Sequence, residues 1–146
     1  MLVEKVMSSS MFSATAETTI RDAAKQMREH DVGALPVLQD GRPIGIVTDR
    51  DIVIRALAPQ GFAFGPDTRI GDIMTRKVIT CFADQDAAEA AALMGEERIR
   101  RLLVVDRTGV ASGILSVGDI AEHVSEELAG QAMGEISEAR ARDRPG

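Results

Sequence analysis

Gly45-Ile-Val-Thr-Asp-Arg-Asp-Ile52 reads as a short apolar strand that stops at a hydroxyl residue and runs straight into a helix. Thr48 and Asp51 fit the Ser/Thr-x-x-Asp/Glu capping box, in which the hydroxyl accepts from a first-turn amide and the carboxylate reaches back. Sixty-eight residues later, Gly113-Ile-Leu-Ser-Val-Gly-Asp-Ile120 has the same form, with Ser116 and Asp119 in those places. A stretch that occurs twice in 146 residues raises the question of how much of the chain around it is duplicated.

Most of it is. Val3-Glu-Lys-Val-Met-Ser8 aligns with Ile70-Gly-Asp-Ile-Met-Thr75 at an offset of 67. The same offset pairs Met11-Phe12-Ser13 with Val78-Ile79-Thr80, and Ile20, Ala23, Ala24 and Met27 with Ala87, Ala90, Ala91 and Met94. It also pairs Val32–Leu38 with Ile99–Val105, and one extra residue before Gly109 then shifts the offset to 68. Several separate blocks agree with a single gap, so the chain is two copies of one unit.

Each copy is expected to be β-α-β-β-α. Thr18 or Thr19 can cap a helix whose Ile20, Ala23, Ala24 and Met27 recur at the spacing of one buried face, and His30-Asp31 ends it. Ala34–Leu38 and Ile44–Thr48 read as strands joined by a hairpin turn at Asp40-Gly41, followed by a helix from about Asp49 to Leu57. The second copy predicts a helix near Asp86–Glu96, strands near Arg101–Val105 and Ala111–Leu115, and a helix from about Val117. A short strand, Met11–Ser13 or Val78–Thr80, precedes each first helix. This divides the chain into a first repeat (1–58), a Gly/Pro-punctuated linker (59–69), a second repeat (70–125) and a C-terminal helical extension or solvated tail (126–146). One unit is too small to cover a three-stranded sheet, so the expected fold class is α/β (α+β), with the two repeats packed sheet to sheet about a pseudo-twofold axis.

Composition narrows the function classes. Hydrophobic residues are 45% and aromatics 3%, with neither Trp nor Tyr, so the core is aliphatic. A net charge of −6 argues against nucleic acid as a partner. No run approaches the roughly 18 apolar residues of a membrane span, so no membrane partner is expected. The lone Cys81 excludes an internal disulfide and suits a cytoplasmic protein, as a small buried residue. His30 and His123 have no second ligand at metal spacing, so no metal is expected, and no nucleophile–base pair marks an enzyme.

The residues Val6-Met7-Ser8, Ile73-Met74-Thr75, Met27–Val37, Gly45–Val53 and Gly113–Ile120 together resemble a tandem cystathionine-β-synthase (CBS) domain pair, over nearly the whole chain to about residue 125. The likeness is to the stand-alone bacterial pairs. It implies a non-catalytic regulatory module that binds an adenine ligand, AMP, ADP, ATP or S-adenosylmethionine, in a cleft between the repeats, and that forms a homodimer acting on an effector protein.

It also implies site residues. Thr48 and Ser116 would lie near phosphate, and Asp51 and Asp119 near the ribose, as acidic residues do in other nucleotide folds. Arg100 and Arg101 precede the second core strand where the first repeat has Gly33 and Ala34. Their planar forks suit phosphate, with a salt bridge to Glu96 or Glu97 as the structural alternative. Arg50 is a further phosphate candidate. Phe12-Ser13 with Val37, and Ile79-Thr80 with Val104, would line the two adenine slots, unless each is plain core. A ligand-independent dimeric interaction module is the alternative reading of the whole.

Overall fold

The computed structural model describes residues 1–57 and 65–143. In chain order these form α1 (Val3–Val6), α2 (Ile20–His30), β1 (Ala34–Gln39), β2 (Arg42–Thr48) and α3 (Asp49–Asp51), which continues as a π-helical turn over Ile52–Leu57. A 3-10 turn at Ile70–Asp72 leads to β3 (Thr80–Phe82), α4 (Ala87–Glu97), β4 (Arg101–Val105), β5 (Ala111–Ser116), α5 (Val117–His123) and α6 (Glu126–Asp143). Helices and strands alternate within each repeat, the expected α/β class. The expected linker over 59–69 lies outside the described residues as far as Phe64.

Local chemistry sets the element ends. Thr19 Oγ1 accepts the Asp22 N–H at 3.1 Å and starts α2, and Asp31 ends it in the left-handed conformation at φ 52°. In α4 the Asp86 carboxylate accepts the Ala88 N–H at 2.8 Å, and Arg98 ends the helix at φ 61°. The β1–β2 hairpin turns at Asp40-Gly41, both at positive φ (53° and 79°), the condition for a turn whose twist matches the strands. The extra residue of the second copy is absorbed in a turn where the Asp106 carboxylate accepts the Thr108 and Val110 N–H groups.

The two sheets differ. In the second copy β3 lies parallel to β4, which pairs antiparallel with β5. In the first copy the expected strand Met11–Ser13 is not formed; only Ala14 bridges to Val37, leaving the two-stranded sheet β1–β2. Pro36 has no N–H to donate, so this parallel ladder cannot run back past Ala14. Leu103, at the same place in the second copy, keeps its N–H, and the strand forms, at Thr80–Phe82 rather than Val78–Thr80. The helix after β2 also departs from expectation, widening into the π turn where Ile52-Val53-Ile54 places three β-branched residues in succession.

The described residues form two compact units that are not the two sequence repeats: Phe12–Val78, and Met1–Met11 with Ile79–Gly146. Each repeat's leading segment packs within the other repeat's unit. Val3 and Glu4 donate to the Gln85 and Ala83 carbonyls, and Ser8 exchanges both backbone hydrogen bonds with Ile114 at 2.9 Å. Reciprocally, Ile70 and Gly71 donate to Thr18 and Ala16, and Thr75 exchanges both bonds with Ile46 at 2.8 and 2.9 Å. Val3 and Val6 are thereby buried with Leu102, Val104 and Leu115, and Ile70 and Ile73 with Leu35, Val37 and Val47.

This exchange explains the glycine that opens each quoted stretch. A Cβ on Gly45 would stand 2.9 Å from the Thr75 carbonyl oxygen, and one on Gly113 would stand 2.6 Å from that of Ser8.

The C-terminal segment is a helix over its described length rather than a solvated tail. In α6, Ala129, Ala132 and Ile136 are buried, and the helix packs on α4 and α5. At Gly95 on α4 a Cβ would meet only the end of the Glu135 side chain. Among the described residues, no helix is long and apolar enough to cross a membrane.

Candidate functional site

Both capping boxes form as the residue spacing predicts. Thr48 Oγ1 accepts the Asp51 N–H at 3.0 Å, and Asp51 Oδ2 accepts the Thr48 N–H at 3.0 Å. Ser116 and Asp119 repeat this at 3.0 and 2.9 Å. In each repeat the first amide of the helix donates to the backbone ahead of the core strand, Asp49 N–H to Gly33 O at 2.9 Å and Val117 N–H to Arg100 O at 3.0 Å. The same local frame is therefore built twice: a half-buried hydroxyl and a half-buried carboxylate at a strand-to-helix turn.

The carboxylates differ in what their second oxygen meets. Asp51 Oδ1 lies 3.7 Å from Arg55 Nε, and the Arg55 guanidinium also donates to the carbonyls of Ile73 and Met74 at 3.2 and 3.4 Å. Four residues beyond Asp119 stands His123, which instead faces Glu122 at 3.6 Å, so Asp119 Oδ1 has no ion pair among the described residues. Residue spacing alone could have suggested the Asp51–Arg55 pair, as an i, i+4 contact. The long reach to Ile73 and Met74 has no sequence signal.

Arg101 pairs with Ser116 across β4–β5, where Ala34 pairs with Thr48 across β1–β2. Directly opposed residues share a sheet face, so the second repeat places an arginine beside its hydroxyl and the first does not. Arg50, Arg100 and Arg101 are all exposed.

The proposed adenine-slot residues divide into two groups. Val37 and Val104 are fully buried in the two cores and present no surface to a ligand in this conformation. Ser13, Ile79 and Thr80 are half-buried, and Thr80 begins β3 opposite Leu103. Phe12 is 39% exposed and stacks on His30, ring centroids 3.6 Å apart and planes nearly parallel at 7°. Nothing in the residue spacing pointed to that stack.

Two further features bear on chemistry. Cys81 is buried, and that burial pushes its thiol up to about 11, so it holds its proton at neutral pH. Arg107 forks onto both oxygens of Asp84 and lies 4.0 Å over the Phe82 ring, an exposed cluster at the end of β3. The guanidinium holds the Asp84 carboxyl below the usual carboxylate range.

Comparison with known proteins fits this duplicated frame. The CBS domain model matches residues 3–57 and 70–126. The CBS domain-containing protein YhcV of Bacillus subtilis is 34% identical over 138 residues, covering 92% of this chain and 94% of that protein. Among solved structures, the CBS domain protein PAE2072 of Pyrobaculum aerophilum, complexed with AMP, superposes with a TM-score of 0.74 at 25% identity, covering 91% of this chain and 99% of that one. The CBS domain pair of protein MJ0100, in complex with 5′-methylthioadenosine and S-adenosyl-L-methionine, gives 0.70 at 32% identity, covering 84% and 94%. With both of its repeats matched and its turns built alike, this chain belongs to the CBS domain family.

Proposed function

We propose that this chain is a non-catalytic sensor that binds an adenine nucleotide or adenosyl compound, AMP, ADP, ATP or S-adenosylmethionine, at its strand-to-helix turns, and that it works as a homodimer on an effector protein. The observation that carries this reading is the twin hydroxyl–carboxylate frame, with one oxygen of Asp119 left without an ion pair among the described residues. A carboxylate with a spare oxygen can accept from ribose hydroxyls, and a first-turn amide beside it favours phosphate. The complexes of similar proteins with AMP and with 5′-methylthioadenosine and S-adenosyl-L-methionine support the ligand class.

Titration of the purified chain with these compounds, followed by calorimetry and melting, tests it. A ligand at about 100 times its dissociation constant adds about 2.7 kcal/mol, a readily measured rise in melting temperature. Silence across the whole panel would sink the proposal. A second reading, a ligand-independent interaction module, is favoured by one observation: the adjacent Val53 and Ile54 are 54% and 53% exposed. An unchanged oligomeric state after Val53→Ser and Ile54→Ser would count against it.

A further inference from the structure

We infer that a second copy of this chain docks across a twofold axis on the helical face of the first repeat, around Val53 and Ile54, while α6 closes the matching face of the second repeat; this names the surface of the homodimer proposed above and rests on that reading. The duplication supplies two equivalent helical faces, α2 with the π turn and α4 with α5. On the second face α6 packs along α4 and α5 and buries its own Ala129, Ala132 and Ile136. Beneath it Ala91 is 2% exposed, and Ala121 packs against the same core. Their counterparts on the first face stay open: Ala24 is exposed, and Val53 is 54% exposed beside Ile54 at 53%. An apolar groove between α2 and the π turn runs past Ile20, Ala24, Ile52 and Ala56. Among the described residues no helix takes the part of α6 there.

Charge decides which face can meet its own copy. A twofold axis sets a patch against itself, so a patch of large net charge repels its partner. Helices α4, α5 and α6 carry ten acidic and two basic residues, a net of −8. With α6 in place, the exposed positions on it include Glu127, Gln131, Glu135 and Glu138 and offer a second copy no apolar anchor. Helix α2, α3 and the π turn carry five basic and four acidic residues, a net of +1. The first face therefore joins apolar area to near-neutral charge, the two conditions for self-association, and the second has neither. The same C-terminal helix that completes one core thus leaves the chain a single face for its partner.

The test is sedimentation of the full chain and of two paired variants that add equal charge, Val53→Arg with Ile54→Arg, and Gly130→Arg with Ser137→Arg on the exposed side of α6. The parent should be a dimer. The first pair should raise the dimer's dissociation constant at least about a hundredfold with the circular dichroism unchanged, and the second pair should leave the dimer intact. As a measurement that does not depend on the arginine pair folding, Ile54→Cys should give a covalent dimer on oxidation and Gln131→Cys should not; Cys81 is buried and takes no part. A dimer that survives the Val53 and Ile54 arginines, or that cross-links through Gln131→Cys alone, overturns this surface and leaves the homodimer reading intact. A monomeric parent chain defeats the homodimer reading and this inference together.

Discussion

Replacing Gly113 with alanine adds one carbon atom where the Ser8 backbone lies against β5. The new Cβ would stand 2.6 Å from the Ser8 carbonyl oxygen and 2.8 Å from Met7 Sδ. The thioether can swing aside. The carbonyl cannot, because Ser8 is held by two reciprocal bonds to Ile114, each 2.9 Å. Relieving the overlap pulls those bonds apart, at about 0.5–1.5 kcal/mol each, and loosens the seating of Val3 and Val6, both buried. Against this, alanine is favoured over glycine within a strand by about 0.5–1 kcal/mol. With about 1–3 kcal/mol for the overpacked methyl added to the two bonds, the net is a loss of about 1–5 kcal/mol, or a melting temperature lower by roughly 3–15 °C for a chain of this size.

The control is Gly134→Ala in α6, where an added Cβ meets nothing within 4 Å. There the same substitution should raise stability by about 0.5–1 kcal/mol. Thermal and urea unfolding followed by circular dichroism read both. Propensity alone gives the two variants the same sign, whereas the exchanged leading segment gives them opposite signs. A Gly113→Ala chain as stable as the parent would refute the tight packing of Ser8 against β5.

Three other outcomes follow from the same geometry. Ser116→Ala removes the hydroxyl that caps α5 and should cost about 1 kcal/mol in urea unfolding; no change would mean that the Asp119 carboxylate alone holds the turn. Ile136→Ala in α6 should cost about 2–4 kcal/mol, because Ile136 is buried in the core shared with α4 and α5, and a loss under about 0.5 kcal/mol would show that α6 does not dock there. Burial raises the Cys81 thiol from an ordinary 9.0 to about 11, so the folded chain keeps a proton that the unfolded chain releases. That contribution is complete below about pH 9 and declines by about 1.4 kcal/mol per pH unit up to about pH 11; Cys81→Ala should flatten this slope, and an equal slope in both chains would refute it.

Much of the fold is legible in the residues because it is local. The apolar spacing of Ile20, Ala23 and Met27, the Thr19 cap, and the Asp40-Gly41 turn each act over a few residues, and each element forms within a residue or two of its expected bounds. What was not legible is long-range. The missing strand at Met11–Ser13 depends on Pro36, more than twenty residues away, facing it with no N–H to give. The exchange of leading segments leaves no trace except Gly45 and Gly113, whose lack of a side chain matters only once Thr75 and Ser8 lie against them. The docking of α6 was hidden because alanines carry much of its buried face, and an Ala-rich stripe resembles a solvated helix until the α4 and α5 surface that it meets is known. At the candidate site, the caps were readable from spacing, while the Phe12–His30 stack and the reach of Arg55 to Ile73 required the folded chain.

The comparison of the two turns separates what the fold demands from what it leaves free. Gly45 and Gly113, Thr48 and Ser116, Asp51 and Asp119 all have a structural duty that either repeat would lose with the side chain: a close approach, a capped amide, a capped strand end. Those positions carry the same chemistry in both copies. Around them, at Gly33 and Arg100, Asp49 and Val117, Arg55 and His123, the backbone bonds form whatever the side chain is, as the matched bonds to Gly33 O and Arg100 O demonstrate. The repeats diverge in charge at those three places, all within one turn or strand end of the shared frame. Folding constrains two of these places, since Val117 is buried in the second core and Arg55 ties Asp51 to the Ile73 and Met74 carbonyls. The part of the charge difference that packing leaves free is Arg100 and Arg101, exposed in the second repeat where the first has Gly33 and Ala34.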